Sequence, residues 1–152
     1  MAHAAMPTAL EIYNQIHSLQ PGTDVDVAYK LLGAPQEKYE GTKETPACLK
    51  WYSAIFNVEE TFFVFYDDNN KRIDTVSYSE TYDEFKTARQ RYEVLKDGIF
   101  KILGTPVKDL VPINNLGWVT EWNVGDSTFI LGCEEIDLGK SIKGSIVTIY
   151  FY

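Results

Sequence analysis

The chain has 152 residues, with 14 Lys and Arg against 22 Asp and Glu, and a formal net charge of −8. This length sets one ordinary domain or two very small ones, and 45% hydrophobic with 24% charged residues excludes disordered, collagen-like and coiled-coil classes. Acidity argues against nucleic acid, whose binding needs a Lys/Arg footprint to displace counterions, and no apolar run of ~18 residues is present to span a membrane as a helix. Ten Tyr, eight Phe and three Trp favour pleated surfaces.

Residues 1–7 lack the basic and apolar stretches of a secretion signal and are left out of the fold expectation. Thr8-x-x-Glu11 is a capping box, and Ile12, Ile16 and Leu19 continue it as one apolar stripe up to Pro21-Gly22. Thr23 is expected to cap a second helix with Asp24 and Asp26 at its positive end. Ala28, Leu31 and Leu32 form its inner face, and Gly33 and Pro35 stop it. Strands are expected at 38–41, 48–56, 61–66 and 72–79. Asp67-Asp68-Asn69-Asn70 turns the last pair, because Asp and Asn hydrogen-bond their own backbone.

The pattern then restarts. Thr81-x-x-Glu84 reads as a second capping box before a long helix, whose stripe Phe85, Ala88, Tyr92, Leu95, Ile99 and Ile102 recurs at helical spacing until Gly104 and Pro106. The Lys86, Arg89, Arg91, Lys96 and Lys101 series is interleaved with acids and reads as that helix's solvated face. Further strands are expected at 117–123, 127–133 and 144–152, with Gly125-Asp126 and Gly139–Gly144 as turns.

Internal similarity links the halves. Leu31-Leu32-Gly33-Ala34-Pro35 matches Ile102-Leu103-Gly104-Thr105-Pro106 at an offset of 71, and Trp51 matches Trp118 at 67. Thr61-Phe62 matches Thr128-Phe129 at 67, and Tyr78 matches Tyr150 at 72. The expected fold is therefore α+β, with two tandem repeats at 8–79 and 80–152. Each is an N-terminal helix or helical hairpin packed on an antiparallel β-meander.

This order of helix, Gly22-Thr23, helix, Leu-Gly-x-Pro and Trp-bearing strands, doubled, resembles the beta-lactamase inhibitor protein-like fold. One copy of the unit is similar to small lipoproteins of the outer-membrane barrel-assembly machinery. The resemblance covers residues 8–152 in outline. It implies a secreted or envelope-associated protein that binds another protein, with an acidic residue on a first-repeat loop entering the target. The matching segment here is Asn57-Val58-Glu59-Glu60. A second-repeat loop supplies an aromatic in the inhibitor, and the loop that best matches, Asn123–Ser127, has none. Each half carries one cysteine where the family's repeats carry disulfides.

Enzymatic constellations are sparse. His17 sits near a helix C-terminus, where a dipole partner is expected, and His3 lies in the excluded start. No H-E-x-x-H, G-x-S-x-G or G-x-G-x-x-G occurs. Gly139-Lys140-Ser141 imitates a P-loop end, but Glu134 stands where its glycine is needed. Asp67 to Asn70 lack EF-hand spacing. Glu134, Glu135 and Asp137 are exposed strand-end charge, a weak calcium site or a carboxylate pair for acid/base work. Cys48 and Cys133 are expected as buried thiols. Cofactor, metal and catalytic residues are each expected to be none.

Strand alternation groups Trp118, Thr120 and Trp122 on one face, and Ile146, Thr148, Tyr150 and Tyr152 opposite Val147, Ile149 and Phe151. The last three suit a helix-covered core. Trp and Tyr mixed with Thr suit a binding face, since such rings bury area and keep a polar handle; the alternative, weightier for each Trp than for Tyr150 and Tyr152, is a place in the core. The functional expectation is a non-enzymatic protein-binding module using Glu59, Glu60, Trp118, Trp122, Tyr150 and Tyr152. The alternative is a cytoplasmic small-ligand-binding or accessory domain.

Overall fold

The computed structural model describes residues 6–55, 58–114, 117–139 and 142–152. Its first helix, α1 (Ala9–Ser18), begins as its capping box requires: Thr8 Oγ1 accepts the Glu11 N–H at 3.1 Å, and the Glu11 carboxylate accepts the Thr8 N–H at 3.4 Å. Its stripe seals Ile12 and Ile16, 1% and 0% exposed, each contributing about 1.5–3 kcal/mol. In the second helix, α2 (Asp26–Leu32), the N-cap position is held by Val25 and not by Thr23, without a side-chain cap. Thr23 is engaged elsewhere, its carbonyl accepting the Ile73 N–H at 2.8 Å. Val25, Ala28 and Leu32 face inward at helical spacing, and Leu31, expected with them, is 43% exposed.

Strands β1 (Glu37–Tyr39), β2 (Ala47–Ile55), β3 (Val58–Tyr66) and β4 (Ile73–Tyr82) follow. The β3–β4 turn is closed by Asp67, whose Oδ1 accepts the Asn69 N–H at 2.7 Å. Helix α3 (Phe85–Leu103) then leads to β5 (Lys108–Asn114), β6 (Gly117–Val124), β7 (Ser127–Gly139) and β8 (Ile142–Phe151). Thr81 caps nothing. It is a strand residue opposite Glu59 and Ile146, and α3 starts after an extended Glu84 without a side-chain cap. Strand β5 goes beyond the sequence expectation: Pro112 within its run argues against a strand, and the strand itself is irregular, with a positive φ at Leu110 (51°) and two register shifts.

The tandem-repeat fold class requires correction. The eight strands among the described residues form one antiparallel sheet in the order β1-β2-β3-β4-β8-β7-β6-β5. Seven consecutive residue pairs, from Val76↔Phe151 to Tyr82↔Ser145, join β4 to β8. The chain is α+β in the broad sense, but it is not clearly two helix-sheet repeats, and the three described helices share a single core. The internal similarity survives as a shared helix stop. Gly33 and Gly104 end α2 and α3 with φ of 80° and 82°. Eighteen residues after each, Trp51 and Trp122 donate Nε1–H to those glycine carbonyls at 3.1 and 2.9 Å. Trp51 thus corresponds locally to Trp122, and not to Trp118.

The three described helices lie on one face of the sheet. That face presents Leu49, Val64, Val76, Phe151, Phe129 and Trp122 in register, all buried. Helix α3 lays Ala88, Tyr92, Leu95 and Ile99 over it, and α1 packs beside α3. No described helix is long and apolar enough to cross a membrane.

Candidate binding surface

The second face of the sheet carries no described helix. Period-two alternation brings Lys50, Phe63, Ser77, Tyr150, Ile130 and Glu121 into one row across it, and Tyr52, Thr61, Ser79, Thr148, Gly132 and Val119 into the next. Tyr39, Tyr52 and Tyr150 are 48%, 42% and 44% exposed. Phe63 and Phe65 stack at 5.9 Å, with the Lys50 ammonium 5.3 Å from the Tyr52 ring and 5.4 Å from that of Phe63. Thr61, Ser77 and Ser79 sit low between these taller side chains and are buried. The surface is therefore a line of rings over a floor of hydroxyls.

The sequence-derived site residues are divided between the two faces. Tyr150 lies in the middle of the open face, and Tyr152 lies at its end, half exposed, its backbone paired with Thr128. Glu59 is exposed on the open face, opposite Ala54 and Thr81. The other three turn toward the helices. Glu60 accepts the Tyr78 hydroxyl at 2.7 Å. Trp122 is 1% exposed and presents no surface. Trp118 is half-buried against Phe85 and Tyr92 with the Arg89 guanidinium 5.0 Å from its ring, and its buried Nε1 finds no hydrogen-bond partner among the described residues. The mixed face of Trp118, Thr120 and Trp122 is thus core-facing: helix α3 covers it, with Tyr92 and Thr120 hydrogen-bonded hydroxyl to hydroxyl.

The two segments highlighted by the family resemblance are not neighbours. Glu59 and Glu60 belong to β3 at the sheet end where Glu59, Thr81, Ile146, Glu134 and Gly117 align. The Gly125-Asp126 turn lies at the other end, with Asp67–Asn70. Asn57 lies outside the described residues, as do Lys140 and Ser141 of the P-loop-like run. Glu134 and Glu135 are adjacent in β7 and point to opposite faces, so they do not converge. Glu135 pairs with Lys143 at 3.4 Å. Among the described residues no group of three or more His, Cys, Asp or Glu side chains gathers as a metal set would. Cys48 and Cys133 are buried free thiols, on opposite faces of the sheet. Burial pushes both up to about 11.

A buried polar cluster escaped the sequence reading. Glu80, fully buried in β4, accepts the Tyr78 hydroxyl at 2.5 Å, the Tyr82 hydroxyl at 2.6 Å, and Arg91 through Nε and Nη2 at 2.8 and 2.9 Å. Arg91, expected on a solvated helix face, instead points inward, and its Nη2 also donates to the Pro7 carbonyl at 2.6 Å. Burial opposes the guanidinium charge, but the Glu80 carboxylate outweighs it and raises the pKa of Arg91. Burial, reinforced by the Glu80 charge, drives the Tyr78 phenol far above its ordinary value. The available signal was Tyr78-x-Glu80-x-Tyr82, a carboxylate flanked by two phenols on one strand face.

The chain matches no family model, no curated protein and no solved structure.

Proposed function

We propose that this protein is a non-enzymatic binding module that holds another protein against the uncovered face of its sheet. The observation that carries this reading is the one-sided placement of the helices. It leaves Tyr39, Tyr52, Phe63, Phe65 and Tyr150 in one solvent-facing area, around hydroxyl-bearing residues and Lys50. Tyr rings bury a large area at low entropic cost and keep a hydrogen-bonding tip, which is why they dominate binding hot spots. The net charge of −8 favours a basic partner surface and faster encounter with it. Tyr150 is the member of the sequence-derived set best placed for this role. The buried Glu80 cluster serves the fold, since its carboxylate is enclosed by protein donors.

The test is capture of partners from extract, followed by titration of the purified partner. Tyr150→Ala should weaken binding roughly tenfold, the loss expected of one hot-spot ring. Phe100→Ala, on the exposed outer side of α3, should leave it unchanged. Equal binding by Tyr150→Ala, or recovery of a small metabolite in place of a protein, overturns the reading.

A further inference from the structure

The two edges of the sheet are finished differently. At one edge, β5 carries Pro112, a positive φ at Leu110 and two breaks in register, all of which discourage further strand pairing. At the other edge, β1 covers only Cys48, Leu49 and Lys50 of β2, so the outer side of β2 continues to Ile55 without a neighbouring strand among the described residues. The residues of β2 that bond outward are the even-numbered ones. Gln36 N–H donates to the Lys50 carbonyl at 3.0 Å. The Gln36 side-chain amide then serves Tyr52 twice, with Nε2–H donating to its carbonyl at 2.8 Å and Oε1 accepting its N–H at 3.2 Å. A primary amide thus stands where the peptide group of an adjoining strand would lie. Two residues on, Ala54 turns its N–H and C=O the same way, and they meet no partner among the described residues.

Hollows flank this edge on both faces, and Tyr52 and Ser53 line both of them. On the helix side a hollow of about 290 Å³ has Leu32, Trp51 and Phe62 in its wall, with Glu60. On the open side one of about 730 Å³ is bordered by Glu37, Lys50 and Glu59. Lys50 pairs with Glu37 at 3.3 Å, and Glu59 has no cation among the described residues. Alternate side chains of a strand point to opposite faces. A strand laid along Tyr52–Ala54 therefore feeds one set of side chains to the Leu32, Trp51 and Phe62 wall of a hollow also lined by Gln15, Gln36, Ser53 and Glu60, and the other set toward the Glu59 carboxylate. Backbone bonds supply affinity in such strand addition, and the alternating hollows supply specificity.

We propose that the Tyr52–Ala54 edge of β2 receives an extended peptide segment of a partner protein, with apolar side chains toward Trp51 and Phe62 and a Lys or Arg beside Glu59. Gln36 is the placeholder that this segment displaces. The proposal rests on the protein-binding reading only for the existence of a partner; its backbone contacts are to a sheet edge, and it meets the ring-bearing face only at its margin, at Lys50, Tyr52 and Glu59.

The probe is the synthetic hexapeptide Thr-Arg-Val-Lys-Val-Thr, blocked at both ends, titrated into the full chain while amide exchange and chemical shifts are followed. Tyr52 and Ala54 amides should gain protection. Gln36→Ala, at an exposed position, should bind about fivefold more tightly, because a competing pair of hydrogen bonds is gone. Ala54→Pro, confirmed folded by circular dichroism, should bind at least tenfold more weakly. The proposal is overturned if millimolar peptide protects neither amide in wild type and Gln36→Ala, or if an acidic analogue with Glu and Asp binds equally. Loss of partner capture in Tyr150→Ala with no peptide response refutes the edge and leaves the face reading standing; the reverse pattern does the opposite.

Discussion

Replacing Arg91 by Met removes the cation from beside a carboxylate that has no access to water. The Glu80 side chain is 0% exposed and that of Arg91 14% exposed, with two charge-assisted bonds at 2.8 and 2.9 Å. Breaking one side of a buried ion pair costs about 3–5 kcal/mol, chiefly because the surviving charge stays buried. Tyr78 and Tyr82 still donate to Glu80, which moves the expectation to the lower end. The Pro7 carbonyl loses its donor and adds to the cost, so the total is about 3 kcal/mol. For a chain of this length that amounts to about 6–12 °C in Tm. The assay is urea unfolding followed by circular dichroism and Trp fluorescence, in which the midpoint falls and the slope is unchanged. Adding Glu80→Met removes the stranded charge, so the double variant should be more stable than the sum of the single losses by about 2 kcal/mol. Strict additivity, or a cost below about 1 kcal/mol for Arg91→Met, would show that the pair is not the electrostatic closure of this core.

Two further expectations follow from close packing and thiol burial. Gly98 lies inside α3, and a Cβ there would sit 2.3 Å from the Ala9 Cβ of α1. Gly98→Ala should therefore destabilise by about 1–3 kcal/mol despite its better helix propensity, and adding Ala9→Gly should recover most of this in thermal melts; a stabilised Gly98→Ala would mean that the helices do not touch there. Burial raises Cys133 and Cys48 from 9.0 to about 11, so their thiolate population at pH 8 falls about a hundredfold and native thiols should react at least that much more slowly with Ellman's reagent than in urea. For stability, the unfolded thiols ionise first: their contribution is complete below pH 9 and is lost between pH 9 and 11. Fast labelling of the native chain at pH 8 would contradict the burial of both thiols.

What neighbouring residues encode was legible in the chain. Thr8 with Glu11 set the start of α1, Ile12 and Ile16 its inner face, Asp67 the β3–β4 turn, and Val147, Ile149 and Phe151 a buried strand face. These features depend on contacts within a few residues, so periodicity and turn chemistry suffice to find them. Tertiary structure decided matters set by distant partners. Pairing of β4 with β8 merged the eight described strands into one sheet, so the tandem-repeat expectation failed although the Gly33 and Gly104 stops are alike. The side on which the helices settle turned Trp118 and Trp122 inward and left Tyr150 outside. Arg91 was drawn inside by Glu80, eleven positions earlier, an attraction that no helical pattern contains. Alternation distinguishes the two faces of a strand, but only the packing of helix against sheet determines which of them meets water.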